Sequence, residues 1–259
     1  VASVEIQGLA RAVAVLDCFS VNRPQLGVRE IARQLDMPAS TVGRILASMN
    51  HLGLLHQNPR TKLYRIGSKM MIYSHIYASS FDLRELAMPM LEELLHLTNE
   101  TTSLYVLEGD KRVCAACIES SETLRVVLRV GEHMPLHAGS AGKALLAFMP
   151  AEDADRIISS PLKKMTEGTI IDRDVLRRDL EEIRQKGYSV SHGERFEDVI
   201  GVAAPIFDNT GKVIAALNVA GPSQRFTDSN VTEYLPVLVG LADRISQLLG
   251  YIKIEQHNE

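Results

Sequence analysis

Residues 24–66 read PQLGVREIARQLDMPASTVGRILASMNHLGLLHQNPRTKLYRI, and their pattern decides the fold of the N-terminal part of the chain. Val28, Ile31, Ala32 and Leu35 recur at the spacing of one helical face. Asp36-Met37-Pro38 reads as a tight turn, because Pro38 lacks an N–H and biases the residue before it away from the helical region. Ser40 or Thr41 is suited to cap a second helix through its hydroxyl. In that helix Val42, Ile45, Leu46, Met49 and Leu52 make one apolar stripe, and Thr41, Gly43, Arg44, Ala47 and Ser48 lie opposite. Gly53 breaks the helix, and Leu54-Leu55-His56 can pair with Lys62-Leu63-Tyr64-Arg65 across Asn58-Pro59-Arg60-Thr61. Two short helices, a tight turn and a basic hairpin are the layout of a winged helix-turn-helix, which makes duplex DNA the first partner to consider.

Working outward, a further helix from about Leu9 to Ser20 carries Leu9, Ala12, Val13, Leu16 and Phe19 as its stripe and completes a three-helix core. The residues expected to meet DNA are Arg11, Ser40, Thr41, Gly43, Arg44, Ser48, Arg60 and Lys62. Small side chains around Arg44 let the helix approach a major groove, where a guanidinium reaches a guanine edge or a phosphate. Arg60 and Lys62 sit at the hairpin tip, where a wing grips phosphate. Residues 1–67 carry a net charge of +4 and the remainder −8, so the basic third alone is matched to DNA. An ordinary helical subdomain is the plainer reading; the motif, the wing and the charge split together weigh against it.

With 259 residues and 46% hydrophobic content, the chain suits two domains or one large one. It has no run of 18 apolar residues and no charged-then-apolar leader, so neither a membrane span nor secretion is expected. Three cysteines make no disulfide framework. Cys114 and Cys117 form a CxxC inside the strand-like run KRVCAACIES, where a spacing of three puts them on opposite faces. Buried, reduced thiols in a cytoplasmic protein are the expectation.

The rest of the chain mixes helices and hairpins. SKMMIYSHIYASS reads as a helical linker, and Asp82 caps a long helix, DLRELAMPMLEELLHLT, with Pro89 as a kink. TTSLYVLE and KRVCAACIE flank the turn Gly109-Asp110, LRVVLRVG follows as a third strand, and VIGVAAPIFD and KVIAALNVAG flank Asp208-Asn209-Thr210-Gly211. Helices are expected at about 140–149, 151–159, 172–186 and 227–249. The fold class is therefore α+β, with an antiparallel sheet covered by helices. The expected division is a winged helix-turn-helix over 1–67, a linker helix over 68–80 and a second domain over 81–259.

Several segments in order resemble the IclR family of bacterial transcriptional regulators. They are GLARAVAVLDCFS, the helix-turn-helix unit, DLRELAMPMLEEL, RVGEHMPLHAGSAGKALLAFMP and GYSVSHGERFEDVIGVAAPIFD. The resemblance implies a GAF-like C-terminal domain that binds a small effector, operator DNA as the N-terminal partner, and homodimers or dimers of dimers. Ser191 stands where the family commonly has an acidic residue, Gly201 where it has Cys, Ser or Ala, and Ala39 where a basic residue often precedes the Ser-Thr pair.

The run Ala138-Gly139-Ser140-Ala141-Gly142-Lys143 opens the helix GKALLAFM. A helix start presents unpaired N–H groups and partial positive charge, and small residues leave room for an anion. Resemblance implies the same place, with the effector pocket mapping onto Val126, Ser140, Ala141, Ser191, Val199, Gly201, Asn218 and Ala220. Apolar walls with a few polar groups suit an organic acid or an aromatic metabolite; the plain alternative is that these small residues serve only helix–sheet packing.

No cofactor and no metal are implied. An enzyme is the main rival class, yet Ala138-Gly139-Ser140-Ala141-Gly142 has Ala where a nucleophile elbow needs its first Gly. His137 and His192 suggest bases without an indicated acid partner, and His137 with Ala144 breaks the P-loop pattern. His133, His137 and His192 lack metal-site spacing. A sensor module whose winged helix meets protein rather than DNA is the third reading, and retarded migration of promoter DNA separates it from a regulator.

Overall fold

A computed structural model describes residues 6–79 and 82–253. The chain divides into two units, Val1–Phe81 and Asp82–Glu259. In the first, α1 (Gln7–Asp17), α2 (Val28–Gln34) and α3 (Ala39–His51) precede a two-stranded hairpin of β1 (Leu55–Gln57) and β2 (Tyr64–Ile66), and α4 (Lys69–Ser79) follows. Val15, Leu26, Ile31, Val42, Leu46 and Leu55 form its buried centre.

The turn between α2 and α3 is made by Asp36, which takes a left-handed φ of 50°, and by Pro38, which stands at the N-cap of α3. Neither Ser40 nor Thr41 caps α3: both lie inside its first turn, and no side chain caps it. Pro38 supplies the start instead, since its fixed φ and missing N–H suit a helix entrance. Leu52 is exposed rather than part of the α3 stripe, because Gly53 turns the backbone at φ 77° immediately after it. The α1 stripe is also out of phase with expectation. Val15 and Cys18 are buried with Ala12, Leu16 and Phe19 packed beside them, while Leu9 and Val13 face outward. The helix is apolar on more than one side, so its packing partners choose the face. The hairpin pairs Leu55 with Ile66, His56 with Arg65 and Gln57 with Tyr64, and Leu26 adds a bridge to Tyr64.

The second unit begins with α5 (Leu83–Thr98), where the Asp82 side chain accepts the Arg84 N–H at 2.9 Å. Then come β3 (Thr101–Glu108), β4 (Lys111–Ile118), β5 (His133–Pro135), α6 (Ser140–Phe148), α7 (Ala151–Ser159), α8 (Arg173–Lys186), β6 (Ser189–His192), β7 (Val199–Phe207), β8 (Val213–Pro222) and α9 (Asp228–Leu248). The strands form one six-stranded sheet in the order β5-β4-β3-β8-β7-β6, and every neighbouring pair is antiparallel. Side chains alternate across it. Leu104, Ala215, Leu217 and Val219 pack under α5 and α9, while Tyr105, Ala216 and Ala220 pack toward α6, with α8 behind it.

Two expectations fail here for identifiable reasons. Residues 124–130 form no strand, although Val126 and Leu128 are buried and Leu124, Val127 and Val130 are exposed. The alternation is real, yet the segment makes only isolated contacts, such as the Thr101 hydroxyl donating to the Val126 carbonyl at 2.7 Å. The edge of β4 is paired instead by β5, which the sequence reading missed along with β6. The two cysteines of the CxxC share a face. Leu104 pairs with Ala116 and Tyr105 with Cys114, leaving Ala115 as a bulge that shifts the alternation by one residue. Burial pushes the Cys114 thiol up to about 12 and raises that of Cys117, which keeps both protonated.

Candidate functional site: an exposed helix face and a cavity under a helix start

The two units present their functional groups in opposite ways. In the first, Ser40, Arg44 and Ser48 recur every four residues along the exposed side of α3. Thr41 and Gly43 are half-buried on its flank, and a Cβ at Gly43 would meet Val28 Cγ1 of α2 at 3.9 Å. Arg11 is half-buried on α1. The wing is held by Asn58, whose Oδ1 accepts the Arg60 N–H at 2.9 Å and the Thr61 N–H at 3.2 Å. Lys62 follows at a φ of 60°, and both Arg60 and Lys62 are exposed. Asn50 at the end of α3 accepts the Gln57 N–H at 2.9 Å, which ties the helix to the hairpin. Arg29, Arg33 and Arg65 are further exposed cations that the sequence reading did not single out.

In the second unit, all eight residues expected at an effector site line one small cavity of about 40 Å³. Its roof is the start of α6. Gly139 adopts a φ of 82°, and Ser140 and Ala141 follow as the first helical residues. Among the described residues no acceptor reaches the backbone N–H of Ser140 or Ala141. The floor is the sheet. The Ser140 hydroxyl donates to Asn218 Oδ1 at 2.7 Å, and Asn218 Nδ2 donates to the Ser103 hydroxyl at 3.1 Å. Gly201 lies beneath Ser140, and a Cβ there would stand 2.6 Å from the Ser140 oxygen. Ser191 pairs with Gly201, and Gly201 with Ala220, which sets three mapped positions side by side across β6, β7 and β8. Val126 and Val199 supply apolar wall.

The cavity has walls that the sequence reading missed: Tyr105, Arg112, Leu128, Arg195 and Phe196; Gly139, from the small-residue run, lines it too. Arg112 and Arg195 bring positive charge to it. Arg195 donates to Glu132 Oε1 at 3.2 Å and lies over the Phe196 ring at 4.5 Å. A third cation, Lys143 of α6, points away into a buried network. Its Nζ is 2.5 Å from Glu194 Oε1 and donates to the Val190 carbonyl at 3.2 Å. Asp179 Oδ2 lies 2.9 Å from the same nitrogen, outside hydrogen-bonding angles, so this oxygen keeps an ion contact without a hydrogen bond. The other Glu194 oxygen accepts the Gly139 N–H at 2.9 Å, which anchors the turn into α6.

A catalytic arrangement is not assembled around Ser140, whose hydroxyl is bonded to an amide oxygen. His137 meets the Lys163 carbonyl at 3.0 Å. His192 does contact an acid, Asp228 Oδ1 at 2.6 Å, but as an exposed surface pair. His133 meets Glu108 at 2.9 Å, so the three histidines have separate partners. Among the described residues no group of metal-ligating side chains gathers, and no helix is long and apolar enough to cross a membrane.

Two family models match the chain: the IclR helix-turn-helix domain over residues 8–59 and the bacterial transcriptional regulator IclR C-terminal domain over residues 75–247. The chain is 33% identical to the HTH-type transcriptional regulator BhcR of Paracoccus denitrificans over 242 residues, 93% of this chain and 86% of that protein. An IclR transcriptional regulator from Silicibacter sp. TM1040 has a similar structure, with a TM-score of 0.88 at 25% identity, covering 98% of this chain and 100% of that one. An IclR homologue from Microbacterium hydrocarbonoxydans, solved in complex with 4-hydroxybenzoate, has a TM-score of 0.60 at 30% identity, covering 94% of this chain and 99% of that one.

Proposed function

The chain belongs to the IclR family of bacterial transcriptional regulators, and from that premise we propose that a small organic acid, held in the cavity under α6, modulates its grip on operator DNA. It is a DNA-binding regulator and not an enzyme. The observation that supports the effector reading is the convergence of eight residues from three strands, one helix and one loop on a single cavity beside unpaired helix N–H groups. The 4-hydroxybenzoate bound by the Microbacterium homologue fits an acid of aromatic or comparable size.

In this reading residues 1–67 carry the DNA contacts, 68–80 link, and 81–259 sense. Arg44 reads a base or phosphate from the middle of α3, with Ser40, Thr41, Gly43 and Ser48 around it. Arg60 and Lys62 hold phosphate from the wing, and Arg11 adds to the basic surface. Exposed Leu9, Val13, Met71, Ile72 and Ile76 favour a homodimer, which matches two-fold operators, and the regulated genes are a catabolic operon. The acid acts only through different affinities for the two states of the regulator.

The test is fluorescence anisotropy on labelled DNA from upstream of the gene. Arg44→Ala is expected to weaken binding by about 1–3 kcal/mol with the fold intact. A panel of organic acids, 4-hydroxybenzoate among them, is expected to contain one that shifts the curve. Unchanged affinity in Arg44→Ala, or no response to any acid, refutes the corresponding half of the proposal.

A further inference from the structure

The basic hairpin is too short to hold its own direction. β1 and β2 contribute three paired residues each, and a two-stranded ribbon is marginal in water. Leu55 and Tyr64 anchor it in the core of the first unit. Arg60 and Lys62 lie beyond them, exposed, and among the described residues neither side chain makes a hydrogen bond or an ion pair. The place of these two cations therefore depends on what holds the edges of the hairpin.

Each edge is pinned from outside. On the β2 edge the Tyr64 N–H donates to the Leu26 carbonyl at 2.9 Å, and the Leu26 N–H donates to the Tyr64 carbonyl at 3.0 Å. Gln57 is opposite Tyr64, so its N–H also points out of the hairpin, toward the other side. There Asn50 Oδ1 of α3 accepts it at 2.9 Å. From Gln57 the restraint runs on to the tip. Gln57 Nε2 crosses the hairpin and donates to the Lys62 carbonyl at 3.1 Å. The Lys62 N–H donates to the Asn58 carbonyl at 2.9 Å, and the Asn58 N–H to the Leu63 carbonyl at 2.8 Å. Asn50, Gln57 and Lys62 thus form one chain of hydrogen bonds from the last turn of α3 to the wing.

Helix stability does not explain an asparagine here. Asn is a weak helix former, Asn50 is exposed, and the helix ends at Leu52 without help from its side chain. Its one hydrogen bond leaves α3 for the hairpin. Resting on the reading of Arg60 and Lys62 as phosphate contacts, we infer that Asn50 is the positioning residue of the wing. Through Gln57 it holds Arg60 and Lys62 at a set place relative to Arg44, so that helix and wing meet one duplex together. An unheld wing still finds phosphate, but ordering it at each encounter costs affinity.

The experiment is an anisotropy titration of labelled upstream DNA over a salt series, on the full chain. It compares wild type, Asn50→Ala, the pair Arg60→Ala with Lys62→Ala, and all three substitutions together. Asn50→Ala is expected to weaken binding about three- to tenfold and to make the salt slope shallower by about one. Its thermal midpoint should stay within about 3 °C of the wild type. Loss of both wing cations should take about two from the slope. In that background Asn50→Ala should change affinity by less than about twofold, because no wing cation is left to place. A merely structural role would weaken both backgrounds alike. Gln57→Pro deletes the same N–H from the hairpin side and should repeat the pattern; it decides alone if Asn50→Ala does not fold. Equal losses in both backgrounds, or wild-type affinity in Asn50→Ala and Gln57→Pro, overturn the inference and leave the wing reading standing. An unchanged slope without the two wing cations removes the wing reading, and the inference with it.

Discussion

The winged helix and the sensing unit handle charge in opposite senses. On α3 and the wing, Arg44, Arg60 and Lys62 stand in solvent above a small apolar core, and no buried ion pair supports them. Under α6 the charges are inside: Lys143 and Glu194 form a buried pair, and Arg112 is buried against the Pro135 and Ala138 carbonyls. A solvated cation costs the fold little and is free to meet a polyanion of any sequence, with small residues beside it setting how close the groove comes. A buried cation costs stability, so it needs either a permanent partner or a ligand. In the proposed reading the first arrangement recognises a surface, and the second selects one small molecule.

The strongest way to break this comparison is at Lys143. Lys143→Met is expected to leave Glu194 buried without its cation and to loosen the Gly139 turn that Glu194 holds. A loss of about 3–5 kcal/mol is expected in urea unfolding of the second unit. A change within the range of a surface substitution would mean that the buried pair is not needed.

Glycines give the next contrast. Gly142→Ala drives a Cβ against Arg112 Nη1 and to within 2.6 Å of the Leu136 carbonyl oxygen, so a loss of about 1–3 kcal/mol is expected. Gly43→Ala places its Cβ at an ordinary contact of 3.9 Å from Val28 in a helix interior, and should stabilise by about 0.5–1 kcal/mol. Far-UV circular dichroism during urea titration reads both. The same sign for the two substitutions would contradict the assigned packing.

How much of this was legible in the sequence differs between the regions for the same reason. On α2 and α3 the burial of Ile31, Ala32, Val42, Leu46 and Met49 follows helical periodicity, so the module can be read from spacing. Leu52 escapes because a glycine bends the chain just beyond it, and α1 escapes because two of its sides are apolar. In the sensing unit both long hairpins follow from their turn residues. The bulge at Ala115 and the unpaired run 124–130 do not, since periodicity reports burial and not hydrogen bonding. Ser140 and Ala141 were legible from the small-residue run that opens a helix, and the other six mapped cavity residues only through resemblance. Arg112 was not singled out, although one signal existed: it lies two residues before Cys114, in phase with the buried side of an alternating strand. A cation on a buried face is the exception that periodicity alone passes over.

The wing sharpens the comparison with the smallest effect. Arg60→Ala and Lys62→Ala should weaken specific and non-specific DNA alike, and each should make the slope of log affinity against log salt shallower by about one. An unchanged slope with a loss at one base position would place these side chains on a base edge instead.

The central claim is that an acid inside the second unit governs DNA binding by the first. The direct measurement is an anisotropy titration of upstream DNA with wild type and Ala141→Phe, each with and without the acid that shifts the wild type. The account predicts that Ala141→Phe binds the DNA but no longer responds to the acid, because a phenyl ring fills the space at the start of α6. An Ala141→Phe protein that responds as the wild type does would contradict it.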